Sequence, residues 1–547
     1  MTNTISGMCE ARHLRVSHSA RENRYERVYE IRLTLPSPPV KMTLAGSYVA
    51  IEAPKEGVVL PDRPHEECGV IGIYLPGETV ARLAFFGLFA LQHRGQESAG
   101  IASADGTGIS VHTSMGLVTQ AFREEDLQGL SGHLSIGHTR YSTTGSSKIQ
   151  NAQPFVVQGV HGKLALGHNG NVVNSLPLRR ELQDQWNCEF SSTSDSEVIT
   201  HMLANAPGNT WEERAFYCMR KLQGAYSVTA LTNDTLIAMR DPLGVRPLCL
   251  GKLNNGWVIA SESCALDHLG ARFLREIEAG EVVVIDKNGL RSAIWPGRET
   301  AKRATCVFEF IYFARPDSVL DHKLIYATRK AMGAQLAREA PADADMVIGI
   351  PDSATAAAVG YAQESGLPYS EGLVKNRYVG RTFIEPDQRV RDLGVQLKFN
   401  PLPEVIGGKR LVVVDDSIVR GTTTPHVVAM LKRAGAREIH MRVCAPPIQH
   451  PCHFGVDMAT RKELIAANKS VEEIRKFIGA DTLAYLTVPG LLKTVEGSQG
   501  GFCTACFTGK YPIPIQLELG ETVSPQSALE REEAPAPAAV RKPRSAS

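Results

Sequence analysis

The sequence predicts an α+β layered sandwich followed by an α/β domain built on a parallel sheet. Two observations carry this reading. Residues 68 to about 300 hold many short apolar runs separated by turn residues, among them "CGVIGIYL", "LSIGHTRYS", "LALGHNGNVV", "AYSVTALTN" and "EVVVID". That spacing suits antiparallel sheets with helices packed outside. From about residue 340 the rhythm changes to buried strand, helix, buried strand, helix, which calls for a parallel sheet covered on both faces. A chain of 547 residues has room for both domains.

Taken in order, residues 1–67 come first, with many arginines alongside Glu22, Glu26 and Glu30 and no continuous apolar core. A secretory signal would need such a core. The segment reads either as a leader that is removed or as a mis-chosen start, with Met42 opening the chain proper. In the sandwich, 68–300, the stretches "TVARLAFFGLFALQH" (79–93) and "SDSEVITHMLA" (194–204) look helical. In the second domain, 301–520, "DADMVIGIP" is a strand and "DSATAAAVGYAQESG" a helix stopped by Gly366. "KRLVVVDD", "TTTPHVVAMLKRAG" and "EIHMRVCAP" repeat strand, helix and strand. The remainder, 521–547, contains "EREEAPAPAAVRKPRSAS", a composition that predicts disorder.

Composition narrows the function classes. A formal net charge of +1 gives no global field for nucleic acid or an anionic membrane. The apolar run "LAFFGLFAL" (83–91) falls far short of the ~20 residues a membrane span needs. Eleven cysteines are too sparse for a disulfide scaffold. A cytoplasmic location is expected.

The string "VVVDDSIVRGTTT" (412–424) holds the most specific chemistry. Four apolar residues, Leu411 to Val414, drive a strand into the sheet and leave Asp415 and Asp416 at its C-terminal end, where open α/β sheets bind ligands. The following glycine and hydroxyls, entering a helix, offer N–H and O–H donors to a phosphate. Paired carboxylates beside them suit ribose hydroxyls or Mg²⁺. The bland alternative is an N-capping Asp pair in an ordinary turn. The string resembles the ribose-5-phosphate motif of type I phosphoribosyltransferases, and "IPDSATAAAVGYA" (350–362) resembles their pyrophosphate-side loop. The resemblance implies that Ser353, Asp415 and Asp416 surround Mg²⁺. It also implies that Ser417 to Thr424, including Arg420, Gly421, Thr422 and Thr423, hold the 5-phosphate of phosphoribosyl pyrophosphate. Residues 374–401, aperiodic and basic, resemble that family's mobile lid, with Lys375, Arg377 and Arg381 facing pyrophosphate.

In the first domain, "HTRYSTTG" (138–145), "HNGNVVN" (168–174) and "SDSEV" (194–198) place polar residues beside strand ends. With "CGVIGI" in front and "LQHRGQESAG" (91–100) after the first helix, they resemble the N-terminal-nucleophile glutaminases. In that family the cysteine is residue one, and its free α-amine, with a pKa near 8, serves as base for a thiol near 8.5. The resemblance therefore implies that the 67 leading residues are removed before Cys68 acts. It assigns Asn169 and the Gly170 N–H to the oxyanion, Arg140 to the glutamine α-carboxylate and Asp195 to its α-ammonium. His138, Tyr141 and His168 are supporting residues.

Near the C-terminus, "GFCTACFTG" contains Cys503 and Cys506, a lone CxxC that could bind zinc or do redox work. Cys306 and Cys452 bring the count to four, which fits structural zinc or a [4Fe–4S] cluster. Cys444 competes with Cys452 but sits in an apolar strand. Cys188, Cys218, Cys249 and Cys264 read as ordinary thiols.

Over about residues 66–515 the two halves together resemble the amidophosphoribosyltransferase family, in its iron–sulfur, propeptide-processed form. That resemblance favours the cluster over zinc. It implies glutamine-dependent transfer of ammonia to C1 of phosphoribosyl pyrophosphate, the first committed step of purine synthesis, with purine nucleotides as inhibitors and a homotetramer as the assembly. Two other readings stand beside it. Other amidotransferases share the glutaminase half but lack the 412–424 string. A regulator could bind phosphoribosyl pyrophosphate without chemistry, although an intact Cys68, Arg140, Asn169 and Asp195 argue against one.

Overall fold

Alternation along the strand Gly69–Tyr74 shows how the first half is layered. Val70 and Tyr74 point to a core shared with Leu134, Ile136, Leu236 and Val283, whereas Ile71 and Ile73 point the other way, against Leu88 and Leu266. Both faces are covered, so the strand reads as a continuous apolar run. The computed structural model describes residues 68–141, 148–376, 398–456, 460–496 and 501–515, with the backbone of two short strands. Those two, Met42–Ala45 and Tyr48–Ile51, form an antiparallel pair with Met42 opposite Ile51. The rest of the expected leader, the expected C-terminal tail, and most of the expected lid, Arg377 and Arg381 included, lie outside the described residues.

The first domain is two antiparallel sheets, of six and seven strands. Helices Ala81–Ala90 and Ser263–His268 cover the seven-stranded sheet. Ser175–Trp186, Asp195–Asn205 and Trp211–Lys221 cover the six-stranded one. The first helix lies so close to its sheet that a Cβ on Gly87 would stand 2.0 Å from Ile71 Cδ1.

In the second domain, Met346–Gly349, Arg410–Asp415, Glu438–Val443 and Thr482–Tyr485 form a parallel sheet in that order. Val412 and Val414 pack under Ile325–Glu339 and Thr355–Ser365, while Leu411 and Val413 pack under Thr424–Arg433 and Val471–Ile478. Gly366, at φ +73°, closes its helix in the left-handed region that glycine tolerates. The ends of the expected lid pair as a short antiparallel ladder, Leu373–Lys375 with Phe399–Pro401.

Candidate active sites and cysteine centre

Cys68 sits at the mouth of the first strand, 6% exposed, and its thiol donates to the Tyr141 carbonyl at 3.5 Å. Burial pushes the thiol up to about 11, while it feels the charges of Arg140, Glu97 and Asp195. Within the amide-linked chain the thiol is therefore protonated at neutral pH. Arg140 is buried and ion-paired with Glu97. Asp195, in the first turn of its helix, accepts from Val172 N at 2.9 Å. A cation and an anion thus flank the thiol, the charge pattern that holds an amino-acid zwitterion.

Asn169 and Gly170 lie on Gly162–Val172, in register with Ser227 and Tyr226. The Asn169 amide nitrogen is buried without a hydrogen-bond partner. An unsatisfied buried donor is costly unless something arrives to accept from it. Gly170 adopts φ +145°, and a Cβ there would stand 2.0 Å from the Ala225 carbonyl oxygen. Only glycine fits. His168 binds Ser196 Oγ through Nδ1 at 3.0 Å, and His138 Nε2 donates to the His168 carbonyl at 3.0 Å. Burial lowers both imidazoles, His138 to about 3. Both are neutral supports.

In the second domain, Asp415, Asp416 and Ser417 are buried at the sheet's C-terminal edge. Asp416 accepts from Ser417 Oγ at 2.6 Å and from Ser353 Oγ, so the 353 loop and the 415–417 turn meet on one carboxylate. Lys375 bonds Asp352 at 2.6 Å, bringing the described end of the expected lid to the same loop. Arg420 pairs with Glu463 at 3.6 Å. Gly421, at φ +73°, lets the loop turn past Ile465 into the helix Thr424–Arg433. Thr422 is exposed and Thr423 half-buried at the helix entrance. A crevice beside Asp416 is lined by Ser353, Arg329, Ile311 and Cys444. Cys444 therefore faces this crevice.

The other four cysteines gather between the domains. Cys306 pairs in parallel register with Cys503. The Cys506 carbonyl accepts from Gln449 N and His450 N, three and two residues before Cys452. Cys306, Cys452 and Cys503 all act electrostatically on Cys506. Cys452 Sγ accepts from Phe454 N at 3.3 Å. Burial raises Cys306 to about 11 and Cys503 to about 12, so these sulfurs need a cation to become thiolates. Among the described residues no three His, Cys, Asp or Glu side chains stand in a group that could hold a metal ion.

Sequence reading missed several residues at these sites. Glu262 is buried against His93, Arg94 and Ser318. Arg329 is a buried cation that donates to the Phe310 and Ala314 carbonyls. Glu309 and Arg246 are wholly buried. The signal for Glu309 was present: a carboxylate inside "CVFEFIYF" has to find a partner if that run is core.

Comparisons bear on this geometry. The model of the glutamine amidotransferase domain matches residues 138–268, and that of the phosphoribosyl transferase domain matches 316–473. The amidophosphoribosyltransferase of Synechococcus elongatus is 52% identical over 469 residues, 85% of this chain and 94% of the relative. That of Archaeoglobus fulgidus is 51% identical over 458 residues, 82% of this chain and 99% of its own length. The chain belongs to the amidophosphoribosyltransferase family. Among solved structures, the B. subtilis glutamine phosphoribosylpyrophosphate amidotransferase complexed with ADP and GMP superposes with a TM-score of 0.77 at 44% identity, covering 84% of this chain and all of that one. As an amidophosphoribosyltransferase the chain is an enzyme, not a silent regulator. It uses glutamine to aminate phosphoribosyl pyrophosphate, the first step of purine biosynthesis. Among the described residues no helix is long and apolar enough to cross a membrane.

Proposed function

We propose that Cys68 is the nucleophile that opens the glutamine carboxamide. The observation that carries this is the buried thiol flanked by Arg140 and Asp195. Arg140 binds the α-carboxylate, with Glu97 orienting its guanidinium, and Asp195 receives the α-ammonium. The Asn169 amide and the Gly170 N–H take the oxyanion. A donor of this kind is worth about 3 kcal/mol in the transition state. The orphaned Asn169 nitrogen is the group such an oxyanion would satisfy.

A thiol held near 11 needs a base. Cleavage between Glu67 and Cys68 would supply one as the new α-amine, of pKa near 8. The leader is therefore a propeptide, and the active enzyme begins at Cys68. Ammonia released in the first domain displaces pyrophosphate in the second. There Ser417, Arg420, Gly421, Thr422, Thr423 and Thr424 hold the 5-phosphate, and Lys375, Arg377 and Arg381 cover pyrophosphate.

Asp415, Asp416 and Ser353 would hold Mg²⁺, which neutralises the departing pyrophosphate when bound. Few protein ligands suffice, because Mg²⁺ takes much of its coordination from substrate phosphates and water. The four gathered cysteines fit a [4Fe–4S] cluster, which would serve as a structural tie. Purine nucleotides are the expected inhibitors, as the nucleotide complex of the B. subtilis relative suggests. A homotetramer in the cytoplasm completes the reading.

The test separates the half-reactions. Cys68→Ser should abolish glutamine use and leave synthesis from ammonium salts largely intact. Asp416→Asn should weaken both. Loss of ammonium-dependent synthesis in well-folded Cys68→Ser protein would sink this division of labour.

A further inference from the structure

A buried chain of charges runs from the Cys68 backbone to the cysteine centre. Arg94 donates Nε to the Cys68 carbonyl at 3.1 Å. Its Nη atoms clamp Glu309 at 2.8 and 3.0 Å, and Nη1 also reaches Glu262 at 2.5 Å. Glu309, with no exposed surface, faces Arg246 at 3.7 Å. Arg246 donates to the Phe454 carbonyl through Nε at 3.0 Å and Nη2 at 2.6 Å. Phe454 lies between Cys452 and Gly455.

The loop that this chain reaches then returns to the first domain. His453 accepts from Asn171 Nδ2 at 2.9 Å. Gly455, at φ +105°, presses on Gly170 so closely that a Cβ would stand 2.9 Å from the Gly170 carbonyl carbon. The circuit therefore touches the nucleophile's own residue at one end and the oxyanion glycine at the other. Two arginines and two glutamates balance inside it, so removing one charge leaves the others uncompensated.

We propose that Glu309 is a positioning residue for glutamine hydrolysis, tying the Cys68 carbonyl to the 452–455 loop that backs Gly170. The inference rests on the reading of Cys68 as nucleophile and Gly170 as oxyanion donor. It makes glutamine turnover depend on a segment that the second domain contributes and that its own chemistry does not use.

Glu309→Gln keeps the shape and removes the charge. In the full-length enzyme it should lower glutamine kcat by about tenfold or more, with KM for glutamine changed by less than about threefold and ammonium-dependent synthesis within about twofold. A kcat-against-KM split of this kind is not what general loosening produces. The labelling rate of Cys68 by a diazo-ketone analogue of glutamine should fall in parallel, because that reagent needs the oxyanion geometry. Equal losses with glutamine and ammonium, or unchanged glutamine kcat, would overturn the proposal. Should Glu309→Gln protein not fold, the half-buried Asn171→Ala decides. It breaks the contact with His453, and unchanged glutamine kcat there overturns the proposal, while a selective fall supports it. Cys68→Ser distinguishes the two layers. If it retains glutamine use, the underlying assignment fails; if it behaves as expected while Glu309→Gln is silent, only the positioning role fails.

Discussion

His138 and His168 are imidazoles kept neutral by burial, and that has a pH signature. The folded value of His138, about 3, lies below its ordinary value near 6.5. The unfolded chain therefore takes up the proton first. Its contribution to stability is fully present above pH 6.5 and falls by about 1.4 kcal/mol per pH unit as pH drops from there toward 3. Urea unfolding at pH 7.5 and 5.5 should show a loss in the parent that is about 1 kcal/mol larger than in His138→Gln. An equal loss in both would show that this imidazole is not the titrating group. Gly170→Ala should cost stability as well as activity, since its Cβ would meet the Ala225 carbonyl oxygen at a positive φ, beside the proposed oxyanion site. A glutamine kcat reduced by about a hundredfold or more, with ammonium-dependent synthesis retained, is the expected reading. At this scale the sequence made polar residues in short motifs legible, because Asp415, Asp416 and Ser417 are neighbours in the chain. It could not display Glu309 with Arg94, whose partnership spans 215 positions and exists only after folding.

The strand Arg410–Asp415 shows how an element aims a side chain. Alternate burial of Leu411 and Val413 on one face and Val412 and Val414 on the other fixes its register, and register fixes where Asp415 emerges. Leu411→Ala should destabilise the enzyme by about 2–5 kcal/mol, as cavities in buried apolar sites do. Thermal unfolding would report the loss, while KM for phosphoribosyl pyrophosphate should hardly move. A changed KM at unchanged stability would contradict the view of this strand as a scaffold. Such runs are easy to read because both faces demand apolar residues. The helices Ser175–Trp186 and Trp211–Lys221 went unread. Their outer faces carry many charged residues, and their inner faces become meaningful only against the six-stranded sheet.

For the molecule as a whole, the leader and the cysteine centre yield separate expectations. Intact-mass measurement and N-terminal sequencing of active protein should begin at Cys68; activity in protein that retains earlier residues would defeat the free-amine base. Anaerobically purified protein should be brown, with iron approaching about four per chain at full loading. Zinc in its place would overturn the cluster yet keep the shared cysteine site. The division into two domains was legible from the change in apolar rhythm. Their mutual dependence was not, because contacts such as Asn171 with His453 leave no periodic trace in a sequence.

Gly455 against Gly170 also bears on the order in which the protein is made. A ribosome delivers the strand Gly162–Val172 long before the loop that will support it, and domains tend to fold as they emerge, the N-terminal one first. The nascent first domain thus acquires its sheets early, while the loop that packs against Gly170 is still missing. On the proposed roles of Cys68 and Gly170, hydrolysis of glutamine would wait until translation has passed the 452–455 loop, and a half-made chain would not shed ammonia with nothing to receive it.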